Sequence, residues 1–589
     1  MALQLRNLSH SLVTALVGLG ACGPAELPRL TSEPTTEPTT PATPASSPPV
    51  TLSIVGTSDL HGHLRALPLL AGHLAGLRRA RAEDGGGVVL VDAGDMFQGT
   101  LESGLEEGAS VVAAYAALGY DAVAIGNHEY DFGPVGPRTT AREPGDDPRG
   151  ALQARIAGAP FAFLSSNLRA TSDGEHPAIG LPSTLIERAG VKVGIVGVST
   201  DDTPHTTIAA NFTGLKIAPL AESIVAQASS LRARGATVVV VAAHAGGRCT
   251  DFAAPDDLAT CGSEQEIMRV ARALPPGLVD VIVAGHTHQA MAHRVGGVAI
   301  VQSYANGVAY GRVDVSVDRR TGAVVKLEIH PPRRLCTDPE ASPEAGCASV
   351  DEHGRPVAID PTLAAVIAPA LNRADALRSE SLGPTLLPGF AVRHRGENPP
   401  GNLLTDLMLR ARPGIDVAIL NGGGLRADLP AGPLRYGALY QALPFDNRFA
   451  RVRLRADQLA AMLAVGLTGG PYLSFAGVTA QARCDGGKPV VTLLRAGKPL
   501  KPDTPLELLT SDFLATGGDR LFAAMGEPGP ASVVIEDDPP LREAIADQLR
   551  KLGAAQLAPT TYFDPARPRL RFPGELPLRC AGPAADAAG

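Results

Sequence analysis

The sequence contains no tryptophan, and aromatic residues make up only 4% of its 589 residues. Because aromatic side chains are so few, a phenylalanine beside a predicted site is a candidate for contact with the ligand. The formal net charge is −8, so the chain offers no long-range attraction for nucleic acid or phosphate. An anionic substrate would therefore be held locally, by metal ions or a few arginines, and a nucleic-acid polymer is not an expected partner.

Cysteine motifs and long apolar runs are also scarce. None of the seven cysteines forms a CxxC pair, which argues against a cysteine zinc site. Beyond the N-terminus, no run of about 18 apolar residues without charge indicates a membrane-spanning helix. Hydrophobic residues (44%) and charged residues (19%) occur in ordinary proportions for a globular protein, and the length suffices for two large domains with tails.

The N-terminus has the pattern of an export signal. Residues 1–6 carry one positive charge, residues 12–19 are apolar, and small residues precede Cys22. The segment LGAC that ends at Cys22 resembles a bacterial lipobox. Residues 1–22 are therefore predicted to be a lipoprotein signal peptide with Cys22 as the lipidated residue. The alternative is a plain secretory peptide in which this cysteine is incidental.

Residues 23–50 are rich in Pro, Thr and Ser and have almost no aliphatic side chains. Such a segment buries too little apolar surface to offset its ordering entropy, which predicts a disordered tether. We therefore expect an exported protein, lipid-anchored to a membrane in the bacterial periplasm or at the cell surface.

The six cysteines after Cys22 are an even number, which in an exported chain predicts disulfides. Short separations favour the pairs Cys249–Cys261 and Cys336–Cys347, which leaves Cys484 and Cys580 as the third pair. Six cysteines permit fifteen pairings, so the pattern alone does not decide among them.

Short β-branched runs alternate with Ala/Leu-rich helical stretches from Thr51 to about Leu335. Near-continuous apolar runs are typical of strands buried on both faces of an α/β sheet. The predicted strands are Leu52–Val55, Val88–Val91, Ala122–Ile125, Val191–Val198, Thr237–Val241 and Val279–Val283. Ligands of α/β sheets bind beyond the carboxyl ends of the strands, where five polar motifs of this chain lie.

These five motifs contain the residue types of a two-metal site. Two divalent cations can clamp the attacking and leaving oxygens of a displacement at phosphorus, and they need one bridging carboxylate plus ligands from several strand ends. Asp59 and His61 are two residues apart on an extended segment, so their side chains can converge as the strand opens into a loop. Asp95 is the natural bridging ligand. The remaining candidates are Asn127, His244, His286 and His288.

Over roughly residues 51–525 these motifs resemble the calcineurin-like metallophosphoesterases, specifically the 5′-nucleotidase/UDP-sugar hydrolase family. The resemblance implies two bound divalent metal ions, whether Zn, Mn or Co. The first metal would be held by Asp59, His61, Asp95 and His288. The second would be held by Asp95, Asn127, His244 and His286. Some family members have Gln or Asn where this chain has His288, which leaves the metal preference open.

The resemblance also implies that His128 and Asp131 form the catalytic dyad. A carboxylate three residues after His128 can orient its ring and favour the charged imidazolium, which would stabilise charge in the transition state. The implied nucleophile is a hydroxide that bridges the two metals. The alternative for Asp131 is a turn-stabilising residue. Glu129 and Asp92 are expected to support neighbouring loops, and His63 and His73 are expected to be structural.

The C-terminal half matches motifs of the same family's substrate-binding domain. By this match Phe445 and Phe513 would sandwich a nucleobase, a stacking that is worth about 1–3 kcal/mol per base. Asp519 would accept hydrogen bonds from ribose hydroxyls. Polar contacts to substrate are implied for Asn421, Asn447 and Arg426.

A further substrate arginine is implied shortly before Gly401-Asn402. The alignment there has an extra residue, so Arg393 is the first choice and Arg395 the second.

The predicted fold is α/β. An N-terminal two-sheet α/β metallophosphoesterase sandwich is joined by a helical linker to a C-terminal α/β substrate-binding domain. Asp360-Pro361 has the pattern of an N-cap followed by proline, which opens a linker helix through about Arg378. Domain closure about this linker is expected. The expected divisions are 51–335 (metallophosphoesterase), 336–383 (linker), 384–575 (substrate domain) and 576–589 (disordered tail).

The predicted function is an exported, metal-dependent 5′-nucleotidase that hydrolyses nucleoside monophosphates to nucleoside and phosphate. Its partners would be a small nucleotide substrate and, through the lipid anchor, a membrane. One alternative is a UDP-sugar or dinucleotide pyrophosphatase, or a 2′,3′-cyclic nucleotide phosphodiesterase, of the same family. A remote alternative is a non-catalytic surface binding protein.

Overall fold

The computed structural model describes residues 48–580, apart from 137, 394–395, 470–471, 526–532 and 537–538. The predictions for the signal peptide, for Cys22 and for most of the tether lie outside the described residues. The predicted tether is wrong at its last residue, because Val50 begins the first strand and is 1% exposed.

The N-terminal half is built from two layered sheets and flanking helices. Its strands are β1 (Val50–Thr57), β2 (Gly87–Asp92), β3 (Ala122–Ala124), β4 (Ala162–Leu164), β5 (Leu168–Ala170), β6 (Ser183–Arg188), β7 (Val191–Ser199), β8 (Leu215–Ile217), β9 (Val238–His244), β10 (Val281–Ala284), β11 (Ala290–Val295), β12 (Val298–Ser303), β13 (Ala309–Val317) and β14 (Val324–Arg334). Its helices are α1 (Leu67–Glu83), α2 (Leu101–Gly104), α3 (Ala109–Leu118), α4 (Gly150–Gly158), α5 (Thr203–Thr206), α6 (Ala209–Phe212), α7 (Leu220–Ala233) and α8 (Glu266–Ala273).

One sheet runs in the order β14-β13-β1-β2-β3-β4 and the other in the order β11-β12-β10-β9-β7-β6. Strands β1 to β4 are mutually parallel, as are β7, β9, β10 and β12. Alternate residues of each strand enter different cores. Ile54 packs in one core with Val240 of the other sheet, whereas Val55 packs in the core under α1 and α3. The parallel strands therefore direct their carboxyl ends to one region.

The predicted linker helix is confirmed as α9 (Pro361–Ser379). The Asp360 side chain accepts a hydrogen bond from the Leu363 amide at 2.9 Å, as an N-cap does. Leu363 and Ile367 belong to the N-terminal core, whereas Ala374, near the end of the helix, belongs to the C-terminal core. One helix is thus packed into both halves of the molecule.

The C-terminal half is also α/β, with smaller sheets. Its strands are β15 (Ser381–Leu386), β16 (Val417–Asn421), β17 (Gly432–Arg435), β18 (Phe449–Arg455), β19 (Leu473–Ala476), β20 (Thr479–Asp485), β21 (Lys488–Arg495), β22 (Lys498–Pro499), β23 (Pro505–Ser511), β24 (Val533–Ile535), β25 (Gln556–Leu557) and β26 (Leu570–Arg571). Its helices are α10 (Pro399–Ala411), α11 (Tyr436–Ala442), α12 (Ala456–Leu467), α13 (Asp512–Ala515), α14 (Leu541–Lys551) and α15 (Pro559–Tyr562). The sheet that positions the substrate motifs runs β19-β16-β23-β18-β24.

All three favoured disulfides form: Cys249–Cys261, Cys336–Cys347 and Cys484–Cys580. The third one ties the end of the described chain to β20. The prediction of a disordered tail from residue 576 is therefore wrong for residues 576–580, since Leu578 is buried and donates its amide to the carbonyl of Leu467. Residues 581–589 lie outside the described residues.

Among the described residues, no helix combines the length and apolar character needed to cross a membrane.

Candidate active site

The seven predicted metal ligands follow or end strands of the two sheets, as the sequence indicated. Asp59 and His61 come after β1, Asp95 after β2 and Asn127 after β3. In the second sheet His244 is the last residue of β9, and His286 and His288 follow β10. The structure brings the carboxyl ends of these strands together, so residues from five strands face a common centre.

Five of these residues hold an unusual backbone conformation. Their φ angles are positive: 52° at Asp59, 49° at His61, 58° at Asp95, 74° at His286 and 55° at His288. Positive φ is uncommon for residues other than glycine and costs of order 1–3 kcal/mol at each position. Strain of this kind persists where the surrounding structure enforces it, and it clusters at functional sites. Here it turns side chains of separate loops toward one centre.

The side chains form two groups. In the first, Asp59, His61 and His288 each offer one ligand atom, and these atoms lie within 4.8 Å of one another. The His61 Nε2 atom is 2.9 Å from Nε2 of His288, which is 3.7 Å from a carboxylate oxygen of Asp59.

The second group contains Asp95, His244 and His286, again within 4.8 Å. The Nε2 atom of His244 lies 3.1 Å from Oδ2 of Asp95 and 2.9 Å from Oδ1 of Asn127. Oδ2 of Asp95 is also 4.0 Å from Nε2 of His61, which belongs to the first group. Asp95 therefore lies next to both groups, the position that a bridging ligand requires.

Hydrogen bonds behind the imidazoles orient them for metal binding. Nδ1 of His61 donates to the carbonyl oxygen of Gln98 at 2.7 Å, and Nδ1 of His244 donates to that of Ala93 at 2.8 Å. A carbonyl accepts only, so Nδ1 carries the proton of each of these bonds and Nε2 is the nitrogen that faces the centre. Metal-ligating histidines usually have such a partner.

The electrostatics also fit divalent cations. Burial raises the pKa of Asp59 to about 7, and burial together with the charge on His244 lowers the pKa of His286 to about 3. Burial opposes charge on His244, but the Asp95 carboxylate outweighs it and raises the pKa of His244 to about 10. In the absence of metal, protons on His244 and Asp59 balance the charge of this buried cluster, and divalent cations can replace those protons when they bind.

Glu129 and Asp92 support the loops, as expected. Glu129 is 1% exposed and accepts from the amides of Asp95 at 2.9 Å, Met96 at 2.8 Å and Gly126 at 2.7 Å. Asp92 accepts from the Gly94 amide at 2.8 Å. Both carboxylates thus brace the turn that presents Asp95. The Nε2 atom of His73 is 2.8 Å from the hydroxyl oxygen of Ser349. This buried contact fits the structural role expected for His73.

The predicted dyad is close to the metal groups. Nδ1 of His128 lies 2.5 Å from Oδ2 of Asp131, and the other carboxylate oxygen accepts from the Thr207 hydroxyl at 3.0 Å. Burial alone would lower the pKa of His128, but the carboxylates of Asp131 and Asp95 prevail and raise it. The imidazole is therefore oriented by Asp131 and held toward its charged form.

A cavity of about 530 Å³ extends from this centre to the C-terminal half. Its lining joins residues from both halves of the chain. The predicted site residues that line it are Asp95, Asn127, His128, Asp131, His286, His288, Asn421, Arg426, Phe445, Asn447, Phe513 and Asp519. His128, Asp131 and six predicted substrate contacts thus share one cavity with metal-site residues.

The C-terminal residues are linked to one another and to the dyad. The Phe445 ring stacks on His128 with ring centroids 5.3 Å apart, and the Arg426 guanidinium carbon lies 5.6 Å from the Phe445 centroid. Asn421 donates to Asp519 at 2.5 Å, and Asp519 has a φ of 53°. Aromatic, cationic and carboxylate groups are thus arranged beside the metal groups.

The structure does not bring Arg393, the first choice for the further substrate arginine, to the cavity, and its contact with substrate stays a prediction. Its side chain is exposed, lies over the Phe563 ring at 4.9 Å, and does not line the cavity. Arg393 lies in the loop before α10 and does not follow a strand. Its position relative to the cavity therefore could not be predicted from sequence spacing. Arg395 lies outside the described residues. Arg426 is the predicted arginine that does reach the cavity.

Some lining residues were missed by sequence reasoning. Thr206 and Ile208 line the cavity from the segment around α5 and α6, which follows no motif-bearing strand end. Thr287 and Gln289 also line the cavity and alternate in sequence with the predicted ligands His286 and His288. This proximity in sequence is the signal from which both residues could have been predicted.

Comparison with known proteins agrees with this geometry. Residues 52–290 match the family model described as calcineurin-like phosphoesterase, and residues 379–527 match the one described as 5′-nucleotidase, C-terminal domain. The chain belongs to the 5′-nucleotidase family of calcineurin-like phosphoesterases. It is therefore a hydrolase of phosphate esters, and its phosphoesterase domain implies divalent metal ions.

Two relatives of this chain illustrate the range of the similarity. The protein UshA of Yersinia enterocolitica is 26% identical over 506 residues, which cover 80% of this chain and 86% of UshA. Endonuclease YhcR of Bacillus subtilis is 27% identical over 457 residues, which cover 76% of this chain but 34% of YhcR.

Among solved structures, the 5′-nucleotidase precursor from Thermus thermophilus has a similar fold. The TM-score is 0.67 at 24% identity, with 89% of this chain and 100% of the Thermus chain covered. The two-domain α/β fold predicted from sequence is thereby confirmed.

Proposed function

We propose that this protein is an exported 5′-nucleotidase that hydrolyses nucleoside monophosphates to nucleoside and phosphate with two divalent metal ions. The observation that carries the proposal is the single cavity of about 530 Å³, which joins metal-site residues, the His128–Asp131 pair and two phenylalanines. A phosphatase without base specificity needs the metal-site residues and the His128–Asp131 pair. It does not need the two phenylalanines or a carboxylate such as Asp519 in the same cavity.

Six lining residues that are not metal ligands have a defined task in this proposal. Phe513 and Phe445 hold the base, Asp519 accepts from the ribose hydroxyls, and Arg426 pairs with phosphate oxygens as a planar fork. His128, oriented by Asp131, donates a hydrogen bond to a phosphoryl oxygen and stabilises the negative charge that develops there.

The metal ligands would be Asp59, His61, Asp95 and His288 for one ion and Asp95, Asn127, His244 and His286 for the other. Divalent ions held in this way acidify a water molecule and offset the charge of the phosphoryl group. Hydrogen bonds to backbone carbonyls hold the His61 and His244 rings in place, and Glu129 braces the Asp95 turn, so these side chains would be positioned to hold the ions.

Export is supported by the three disulfides, which form and persist in oxidising compartments. Together with the lipobox-like segment, they favour a protein anchored through Cys22 outside the cytoplasm. Mass spectrometry of the membrane fraction tests this: a diacylglycerol adduct on an N-terminal Cys22 is expected. Release of an unmodified soluble chain would contradict the anchor.

The central experiment measures phosphate and nucleoside release from AMP, UMP, ATP and 2′,3′-cyclic AMP with Mn²⁺, Co²⁺ or Zn²⁺. The proposal predicts equimolar nucleoside and phosphate from the monophosphates, abolished by a chelator and restored by metal. No release from any nucleotide by protein that contains two metal ions would exclude it.

Metal content tests the assignment of ligands. Parent protein is expected to contain two ions per chain by inductively coupled plasma mass spectrometry. Asp95→Ala should lose both ions, because this carboxylate is next to both groups, whereas His288→Ala should keep one. Full occupancy in Asp95→Ala would show that this carboxylate is not the bridge.

A further inference from the structure

The loop between α11 and β18 carries two residues of the proposed base site. Phe445 and Asn447 both line the cavity of about 530 Å³, and the Phe445 ring stacks on His128 with centroids 5.3 Å apart. The loop belongs to no helix or strand, so no ladder of backbone hydrogen bonds fixes it. The position of Phe445 therefore depends on the groups that other elements direct at this loop.

Arg542, the second residue of α14, is the main such group. Its side chain is buried, and its Nη1 atom donates to the carbonyl oxygens of Leu443 and Pro444 at 3.1 Å each and of Phe445 at 3.4 Å. Its Nη2 atom donates to the carboxylate of Asp446. A guanidinium presents five N–H donors in a rigid plane, so one side chain can hold four consecutive residues in a fixed path.

Neighbouring groups keep Arg542 in place. The ring centroid of Tyr440 is 4.1 Å from the guanidinium carbon, and Nε donates to the Tyr436 hydroxyl at 3.3 Å. Leu541, the first residue of α14, donates its amide to the carbonyl oxygen of Asn447 at 2.8 Å. The start of α14 thus holds the loop from residue 443 to residue 447.

The N-terminal half holds the same loop from its other side. The Pro444 carbonyl oxygen, which Arg542 contacts, also accepts from Nε2 of Gln98 at 2.8 Å. The backbone carbonyl of Gln98 accepts in turn from Nδ1 of the predicted metal ligand His61 at 2.7 Å. A carbonyl oxygen has two lone pairs and can accept from both donors. The loop is therefore tied both to α14 and to the metal-binding half.

We propose that Arg542 is a positioning residue for base recognition, which fixes residues 443–446 so that Phe445 meets the base while the ester lies at the metal site. The inference rests on the proposed nucleotidase function and deepens it. Arg542 does not line the cavity, so it acts through the loop and not by contact with substrate. A purely structural arginine would affect all substrates alike, because its loss would only reduce the amount of folded protein.

The test compares AMP with ribose 5-phosphate, which has the same ester but no base. The measurement is kcat and KM for each with metal-loaded full-length protein. Arg542→Met keeps an unbranched apolar side chain and loses every donor. It is expected to lower the ratio of kcat/KM for AMP over ribose 5-phosphate by about three- to tenfold, part of what one base stack contributes. The loss should come from a higher KM for AMP, and two metal ions per chain should remain.

Asp446 supplies a second variant, because it is half-buried, does not line the cavity and pairs with Arg542. Asp446→Ala should lower the same ratio by a smaller factor, and it decides the test if Arg542→Met does not fold. Asp446→Asn keeps an acceptor oxygen for the guanidinium and should restore most of the parent ratio.

Arg550→Met is the matched control. Arg550 is an exposed arginine on the same helix, where it pairs with Glu380 and Asp547 at 2.7 Å each. Its replacement should leave the ratio unchanged.

Two kinds of failure can be told apart. If the parent protein prefers AMP, a parent ratio in folded Arg542→Met would overturn the inference alone, as would a parent ratio in Asp446→Ala where Arg542→Met does not fold. An equal fall in Arg550→Met would overturn it as well. Absence of AMP hydrolysis by the parent protein, or equal kcat/KM for AMP and ribose 5-phosphate, would overturn the proposed function and this inference together.

Discussion

His128 is the residue on which the proposed chemistry depends most directly, because it faces the cavity but has no place in either metal group. Its Nδ1 atom is bound to Asp131, so Nε2 is the atom available to the phosphoryl group.

His128→Ala is expected to lower kcat by about 10²–10³-fold, the range for loss of one group that stabilises transition-state charge. Two metal ions per chain should remain. Asp131→Asn, which weakens the orientation and charge of His128, should lower kcat by a smaller factor. Unchanged turnover in metal-loaded His128→Ala would remove the residue from the mechanism.

Phe513 tests the base-binding wall with less ambiguity than Phe445, whose ring also stacks on His128. Phe513→Ala is expected to reduce kcat/KM for AMP relative to ribose 5-phosphate by about 5- to 150-fold, since stacking is worth about 1–3 kcal/mol per base. Ribose 5-phosphate has the same ester without a base. Equal losses for both substrates would mean that Phe513 does not contact the base.

At the scale of elements, α9 connects two cores. Leu363 and Ile367 pack in the N-terminal core and Ala374 packs in the C-terminal core, so the start of this helix bears on the stability of the whole described chain.

Asp360→Ala removes the hydrogen bond to the Leu363 amide and is expected to lower the free energy of unfolding by about 1 kcal/mol. Urea denaturation followed by circular dichroism measures this change. Asp360→Asn is the control, because asparagine is an equally good N-cap residue. Equal losses in the two variants would point to the charge of Asp360 rather than to capping.

For the whole molecule, the main feature is a cavity built by both halves. Contacts between them include Gln98 Nε2 to the Pro444 carbonyl, Arg448 to the Thr140 hydroxyl and Arg520 to Asp202, each at 2.8 Å. These three contacts are polar, and α9 is the covalent connection. The predicted closure of the two halves about the Asp360–Arg378 linker stays a prediction.

Small-angle scattering tests this motion. A non-hydrolysable nucleotide analogue is expected to reduce the radius of gyration of metal-loaded protein, because ligand contacts from both halves favour the closed arrangement. The same analogue without a base is the control and should have a weaker effect. Identical scattering with and without the nucleotide would count against closure.

The sequence was most informative where function is tied to a strand end. Asp59, Asp95 and His244 could be predicted because each follows or ends an apolar strand of parallel sheets, whose carboxyl ends meet. The position of Arg393 could not be predicted in this way, because it lies in a loop before α10, where its guanidinium stacks on the Phe563 ring.

Local chemistry in the sequence by itself determined the α/β class, the order of the metal-binding motifs, the capped linker helix and the favoured cysteine pairs. These features depend on hydrophobic periodicity, on residue type and on short separations along the chain. Only the tertiary structure decided which arginine lines the cavity and how His128, Phe445 and Arg426 stack. Such features arise from contacts between segments hundreds of residues apart, whose relative positions no local pattern encodes.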